Sequence, residues 1–448
     1  MPLAQLKNTR SRWSILSKVD QLGAIDFWTL TISLDALIPK NTNGLTVEDL
    51  QLPLDTVLDF TEYERRKSAL TLAAHEYTHF VDATSSIWGM KHLNQINWCH
   101  KVNSGDETQF FVLKSAFDYM RSIRLPDYYT TINRKVPSQR PWRSHVTNGV
   151  MFSTDGRITD RPIIFINFLT EDGNRIVRSP LSAISLLEAS AMAKEIEIRV
   201  RLLAHLQEPE KAVEQRILNE ELLNYIYNPE ITEYSACFHL VANLQNEKDI
   251  GIVSRAVGKL CRIVLNTPEI AFRTASKNIK AYSDKMNIPQ DSLETERLKS
   301  GLEKYDRGAL FFLITVLLPK GALKSGRIFD SSIDLALKSI GLSMEKIKRG
   351  AHQEAKNLCE DLSKSELQAI RTLAACGYEN FKKVFPDALE YPLDRLDLPP
   401  ALHGDDDMTP YIFNNKETNS LRNFDLESAY DELIECQLKA ESFAEACL

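Results

Sequence analysis

The chain has 448 residues, 43% of them hydrophobic and 26% charged, the balance of an ordinary globular protein rather than a disordered or fibrous one. Its 54 Lys and Arg against 61 Asp and Glu leave a net charge of −7, which excludes a general electrostatic case for binding nucleic acid. Seven scattered cysteines form no CxxC pair, so reduced thiols in a cytoplasmic protein are expected, neither a disulfide frame nor a Cys-ligated zinc site.

Taken in order, residues 1–40 lack the basic, apolar, small-residue layout of a secretory signal. Ile25 to Leu34 is β-branched and aromatic and reads as a strand, and Asn41-Thr42-Asn43-Gly44 reads as a turn. A capping box at Thr61-Glu62-Tyr63-Glu64 opens a helix over about 62–85, with Trp88-Gly89 closing it or a short extension behind it. Residues 90–135 read as helical, and their stripe of Phe110, Phe111, Phe117, Tyr119, Tyr128 and Tyr129 as core. Pro137 and Pro141 mark a loop. Pro162–Leu169 and Arg175–Arg178, joined by Glu171-Asp172-Gly173-Asn174, predict a β-hairpin.

Ser179-Pro180 predicts a helix start, with Ser as N-cap and a run over about 180–205; Asn228-Pro229 does the same for a helix ending near Gln245. Helical patterns fill the rest, with a break around Pro289 and an irregular stretch over 386–420 that contains Asp405-Asp406-Asp407. That triplet lacks the spacing of a calcium loop and reads as solvated. The longest apolar run, Ala309–Leu318, is too short to span a bilayer and reads as a buried helix, so no membrane association is expected. The expected fold class is α+β, predominantly α-helical: a region over 1–250 with a small sheet, then a helical domain over 251–448.

The chemistry concentrates in the 62–85 helix, at His75-Glu76-Tyr77-Thr78-His79, an HExxH pattern. Histidines four apart lie within about 40° of each other, one turn apart, so both imidazoles can reach one zinc ion. Glu76 stands beside them, placed to take a proton from a metal-bound water. Two histidines leave a catalytic zinc short of its third protein ligand. The extended HExxHxxGxxH form is excluded by Asp82 and Ser85. Glu188, flanked on its helix face by Ile184, Ala191 and Met192, is a carboxylate that is costly to bury without a cation. Glu195 and Glu197 have Arg199 and Arg201 four residues on, the pattern of surface ion pairs. Glu233, with Ala236 and Cys237 on its face, is the alternative third ligand, and Asp82 a further one. Tyr234 and His239 are positioned on the same helix as Glu233 to donate to a developing oxyanion, although a buried Tyr or His is more often a satisfied core residue. His205 is a weaker candidate.

These residues resemble the zincin metallopeptidases, and among them the gluzincin arrangement, in which two histidines come from HExxH and a glutamate from a later helix. The resemblance implies that His75, His79 and Glu188 hold Zn2+, that Glu76 is the general base, and that the substrate is a protein or peptide held by strand addition, for which the 162–178 hairpin is a candidate edge. The Asn-Glu and Ser-Asp signature around the third ligand is absent; Leu186-Leu187-Glu188-Ala189-Ser190-Ala191 stands there instead. A role in host interaction or phage defence suits a solitary zincin of this kind. The competing expectation is an inactive zincin-like protein that binds a protein partner with its helical half. A di-iron bundle would need a second Glu-x-x-His, and none of the nine histidines supplies it.

Overall fold

The computed structural model describes residues 22–103, 105–133, 140–153, 156–385 and 391–447. Short elements come first: β1 (Ala24–Ile25), β2 (Ile32–Leu34) and a one-turn helix α1 (Pro39–Thr42). Then follow α2 (Phe60–Ser85), α3 (Ile87–His100) and α4 (Phe110–Ile123). Strands β3 (Thr131–Ile132), β4 (Arg143–Phe152), β5 (Ile158–Leu169) and β6 (Arg175–Leu181) lead into α5 (Ala183–Leu203), α6 (Glu210–Ile226) and α7 (Thr232–Gln245). Helices α8 (Ile250–Leu265), α9 (Glu269–Lys277), α10 (Lys280–Met286), α11 (Leu293–Glu303), α12 (Arg307–Leu317), α13 (Gly326–Ser339), α14 (Met344–Leu362) and α15 (Gln368–Val384) come next. The chain closes with β7 (Ala401–His403), β8 (Pro410–Tyr411) and α16 (Leu426–Cys447). The described residues are thus mostly helical with two small sheets, as the α+β, predominantly helical expectation had it. None of the described helices is long and apolar enough to cross a membrane.

Contacts divide the chain into two units, one within Met1–Met120, Ala191–Glu220 and Ala355–Cys447, the other within Arg121–Ser190 and Glu221–Glu354. This is not the division at residue 250. Sequence order misleads here because the last ninety-odd residues return to the unit that holds α2. In that unit the strands run β1-β2-β7-β8, with β2 and β7 parallel and Ser33 opposite Leu402. The 25–34 strand is therefore two short strands, since Asp26 turns the chain by accepting from Trp28 N and Thr29 N at 2.7 and 2.9 Å.

Helix α2 is the axis of this unit. Its N-cap is Asp59, which accepts from Glu62 N at 2.9 Å, and not Thr61. The Glu62 carboxylate is drawn off to Arg65 and Arg66, at 2.8 and 2.6 Å, so it forms no capping box. Trp88 and Gly89 do not end α2. They lie in the first turn of α3, whose cap Ser86 accepts from Gly89 N at 2.9 Å. The far side of α2 is fixed by the stretch expected to be irregular: Tyr77 donates to Pro399 O at 2.8 Å and stacks on Phe413, and Tyr391 donates to Asp82. Gly377 lets α15 press against the α2 backbone, because a Cβ there would lie 2.2 Å from Thr84 O. In the acidic triplet, Asp405 accepts from Thr409 N and Oγ1 at 2.9 and 2.6 Å and so closes a local turn. Pro386 and Pro137 lie outside the described residues.

The other unit is built on an antiparallel sheet in the order β3-β6-β5-β4. The hairpin is present as β5 and β6, with Asn167 opposite Arg178, and β4, unread in the sequence, pairs along the other side of β5. β5 has a neighbour on each side, whereas β6 is covered on its outer side by β3 only at Val177 and Arg178. Ser179 and Pro180 lie in β6, opposite Ile166 and Phe165, instead of starting a helix. Proline is tolerated there because β3 pairs with β6 only at Val177 and Arg178. One face packs Leu125 and Tyr129 on Ile163 and Phe165. The 307–317 helix is buried from Arg307 to Val316, as the apolar run requires. The aromatic stripe is only partly core: Tyr129 is 4% exposed, whereas Phe111 and Tyr128 are 70% and 57% exposed. The six described cysteine side chains are free thiols.

Candidate metal centre

Residues 69–85 of α2 are nearly all buried, so the helix carries its polar residues into the core of its unit. His79 is 1% exposed and Glu76 is 2% exposed, while His75 is partly accessible. The one-turn spacing does what helix geometry dictates: Nε2 of His79 and Nε2 of His75 lie 3.2 Å apart. Two nitrogens on one tetrahedral zinc at about 2.0–2.1 Å stand about 3.3 Å apart, so the pair fits that ion.

One ligand atom of Glu188 and one of each histidine all lie within 4.8 Å of one another, so the three could hold a metal ion. The carboxylate is 3% exposed, with Ile184, Ala191 and Met192 buried on its helix face as the sequence implied. A buried carboxylate converging on two imidazoles is a donor set that a divalent cation stabilises and that hydrocarbon does not.

The sequence missed two neighbours of this group. Glu195 was read as a surface ion-pair partner of Arg199, and that pair exists at 3.9 Å. Its other oxygen, however, sits 3.3 Å from Nδ1 of His75. A carboxylate on Nδ1 holds the proton there and leaves Nε2 as the bare nitrogen, turned toward His79. The available signal was spacing, since Glu195 lies two turns after Glu188 on one unbroken helix. The second neighbour is Gly23, where a Cβ would stand 3.1 Å from Oε1 of Glu76 and 2.9 Å from Ser33 O. Nothing in the sequence marks it.

The remaining candidates are engaged elsewhere. Asp82 accepts from Tyr391, and Glu233 lies 3.7 Å from the Arg124 guanidinium. His205 Nδ1 lies 2.9 Å from Thr56 O. Tyr234 is buried on α7, and no role in the three-residue group falls to it. The oxyanion-donor role expected of His239 is corrected. Its Nε2 donates to Ile226 O at 2.8 Å, and its ring stacks on Trp142 and meets Phe168 and Tyr227. The only N–H of a neutral imidazole is thereby used, and burial pushes its pKa down to about 4, which keeps it neutral.

His92 behaves alike: its Nε2 donates to Phe27 O, and burial lowers its pKa to about 4. Both histidines are neutral in the fold and protonate near pH 6.5 once unfolded. Their contribution is therefore complete above about pH 6.5 and is lost as pH falls toward 4, by about 3 kcal/mol each at most. His239→Gln, which keeps an N–H for Ile226, is expected to flatten the fall of the unfolding midpoint between pH 6.5 and 4.5. A slope equal to the parent's would refute this assignment.

Comparison with family models, curated proteins and solved structures finds no match to this chain.

Proposed function

We propose that this protein is a zinc-dependent metallopeptidase of the zincin type, with His75, His79 and Glu188 as metal ligands and Glu76 as general base. The observation that carries the reading is the approach of the two Nε2 atoms to 3.2 Å with the Glu188 carboxylate in the same group. Zinc bound there supplies Lewis acidity toward a carbonyl and lowers the pKa of a coordinated water. Glu76 follows His75 directly, about 100° around the helix, and its buried carboxylate receives a proton and returns it to the leaving amine. Glu195 keeps His75 in the tautomer that presents Nε2.

A protein or peptide substrate suits the strand arrangement of the same unit. β1 is the outer strand of its sheet, and Gly23, just before it, lies against Glu76. An extended chain added along that edge would run past the base. The oxyanion donors are not assigned to Tyr234 or His239.

Protein purified without added zinc is expected to carry about one zinc per chain by elemental analysis. Glu195→Gln should keep the fold and weaken zinc affinity by about 10- to 100-fold, as loss of an outer-shell partner does. A metal-free parent that does not take up zinc on titration would sink the proposal, and unchanged affinity in Glu195→Gln would remove Glu195 from it.

A further inference from the structure

We infer that the unit built on the four-stranded antiparallel sheet also binds a small amphipathic carboxylate, a medium-chain fatty acid in its simplest form, in a cavity walled by α6, α7 and the start of α8. The cavity holds about 230 Å³. That is below the roughly 300–1,000 Å³ of sites for drug-sized molecules, so only a short apolar tail fits. Leu223, Ile226, Phe238 and Val253 make its walls apolar.

The polar groups decide what head such a ligand carries. His239 also lines the cavity, but its Nε2 proton is held by Ile226 O. Glu247 turns one carboxylate oxygen onto the backbone amides of Lys248 and Asp249, at 2.9 and 3.0 Å. Two cations, Arg140 and Lys248, complete the lining. Arg140 is held by neutral groups, lying 5.2 Å over the Tyr227 ring and donating to Asn224 Oδ1 at 3.2 Å. Its planar fork is oriented without a carboxylate partner among the described residues, and Lys248 likewise has no ion pair among them. Two positive charges against one tied-back Glu247, over an apolar interior, complement an anion on a hydrocarbon tail and reject a cation.

Calorimetry of the full chain with octanoate, octanol and octylamine tests this. Octanoate should bind saturably at one site, at least about tenfold tighter than octanol, and octylamine should not bind. Lys248→Glu should weaken octanoate by about tenfold or more and leave octanol unchanged. Ala242→Phe, which fills the cavity, should abolish both while the circular dichroism spectrum stays that of the parent. Absence of octanoate binding, octanol binding as tightly as octanoate, or octanoate binding that survives Ala242→Phe would each overturn the assignment.

Discussion

Replacing His79 with alanine should drop the zinc content from about one equivalent to below one-tenth, the larger of two large effects. His79 is 1% exposed, and its Nε2 supplies one of three converging ligand atoms. Losing a direct ligand weakens binding beyond the 10- to 100-fold typical of an outer-shell partner. Glu188→Ala should do the same, because the carboxylate is the group's only negative ligand. A thermal readout separates metal loss from damage to the helix. Zinc that binds only the folded chain adds stability by mass action, so a chelator should lower the unfolding midpoint of the parent and leave that of His79→Ala unmoved. Full zinc in His79→Ala would remove the metal centre, and full zinc in Glu188→Ala would demote that residue alone.

Glu76→Gln should leave zinc bound and cut peptide hydrolysis by about 10²- to 10⁴-fold, the usual range for a positioned general base. The change is isosteric, and Glu76 lies outside the ligand group, so neither folding nor metal content should follow it down. The readout is a proteome-wide search for new protein N-termini on expression of parent and variant. N-termini that appear with the parent and vanish with Glu76→Gln identify both activity and substrates. Equal patterns from the two proteins would leave a zinc-holding protein that binds its partner without cutting it.

The histidine pair of the candidate group was legible because its determinants are local. His75 and His79 are brought together by the pitch of one helix, and no other part of the chain has to cooperate. Glu188 was legible for a different reason. A carboxylate flanked by Ile184, Ala191 and Met192 announces its burial, and burial demands a partner. The same argument made Glu233 the second choice as a metal ligand, and there the Arg124 guanidinium lies 3.7 Å away. Patterning says that a buried charge is compensated, but not by what. His239 failed for a related reason: an imidazole on an apolar helix can face a substrate or a backbone carbonyl, and the choice of Ile226 O depends on where the chain before α7 passes.

What the sequence determined by itself is therefore a helix over about 62–85, the hairpin of β5 and β6, a buried helix at the apolar run 309–318 and the pair of imidazoles on one turn. Each follows from periodicity, propensity or turn chemistry within a few residues. Only the tertiary structure decided that the segment from 391 onward returns to brace α2, that β2 finds its parallel partner β7 hundreds of residues away, that Glu195 orients His75, and that Gly23 stands against Glu76. Those outcomes rest on contacts between segments distant in the chain. Such contacts are chosen by shape and by the pairing of buried polar groups, and neither leaves a periodic trace in the sequence.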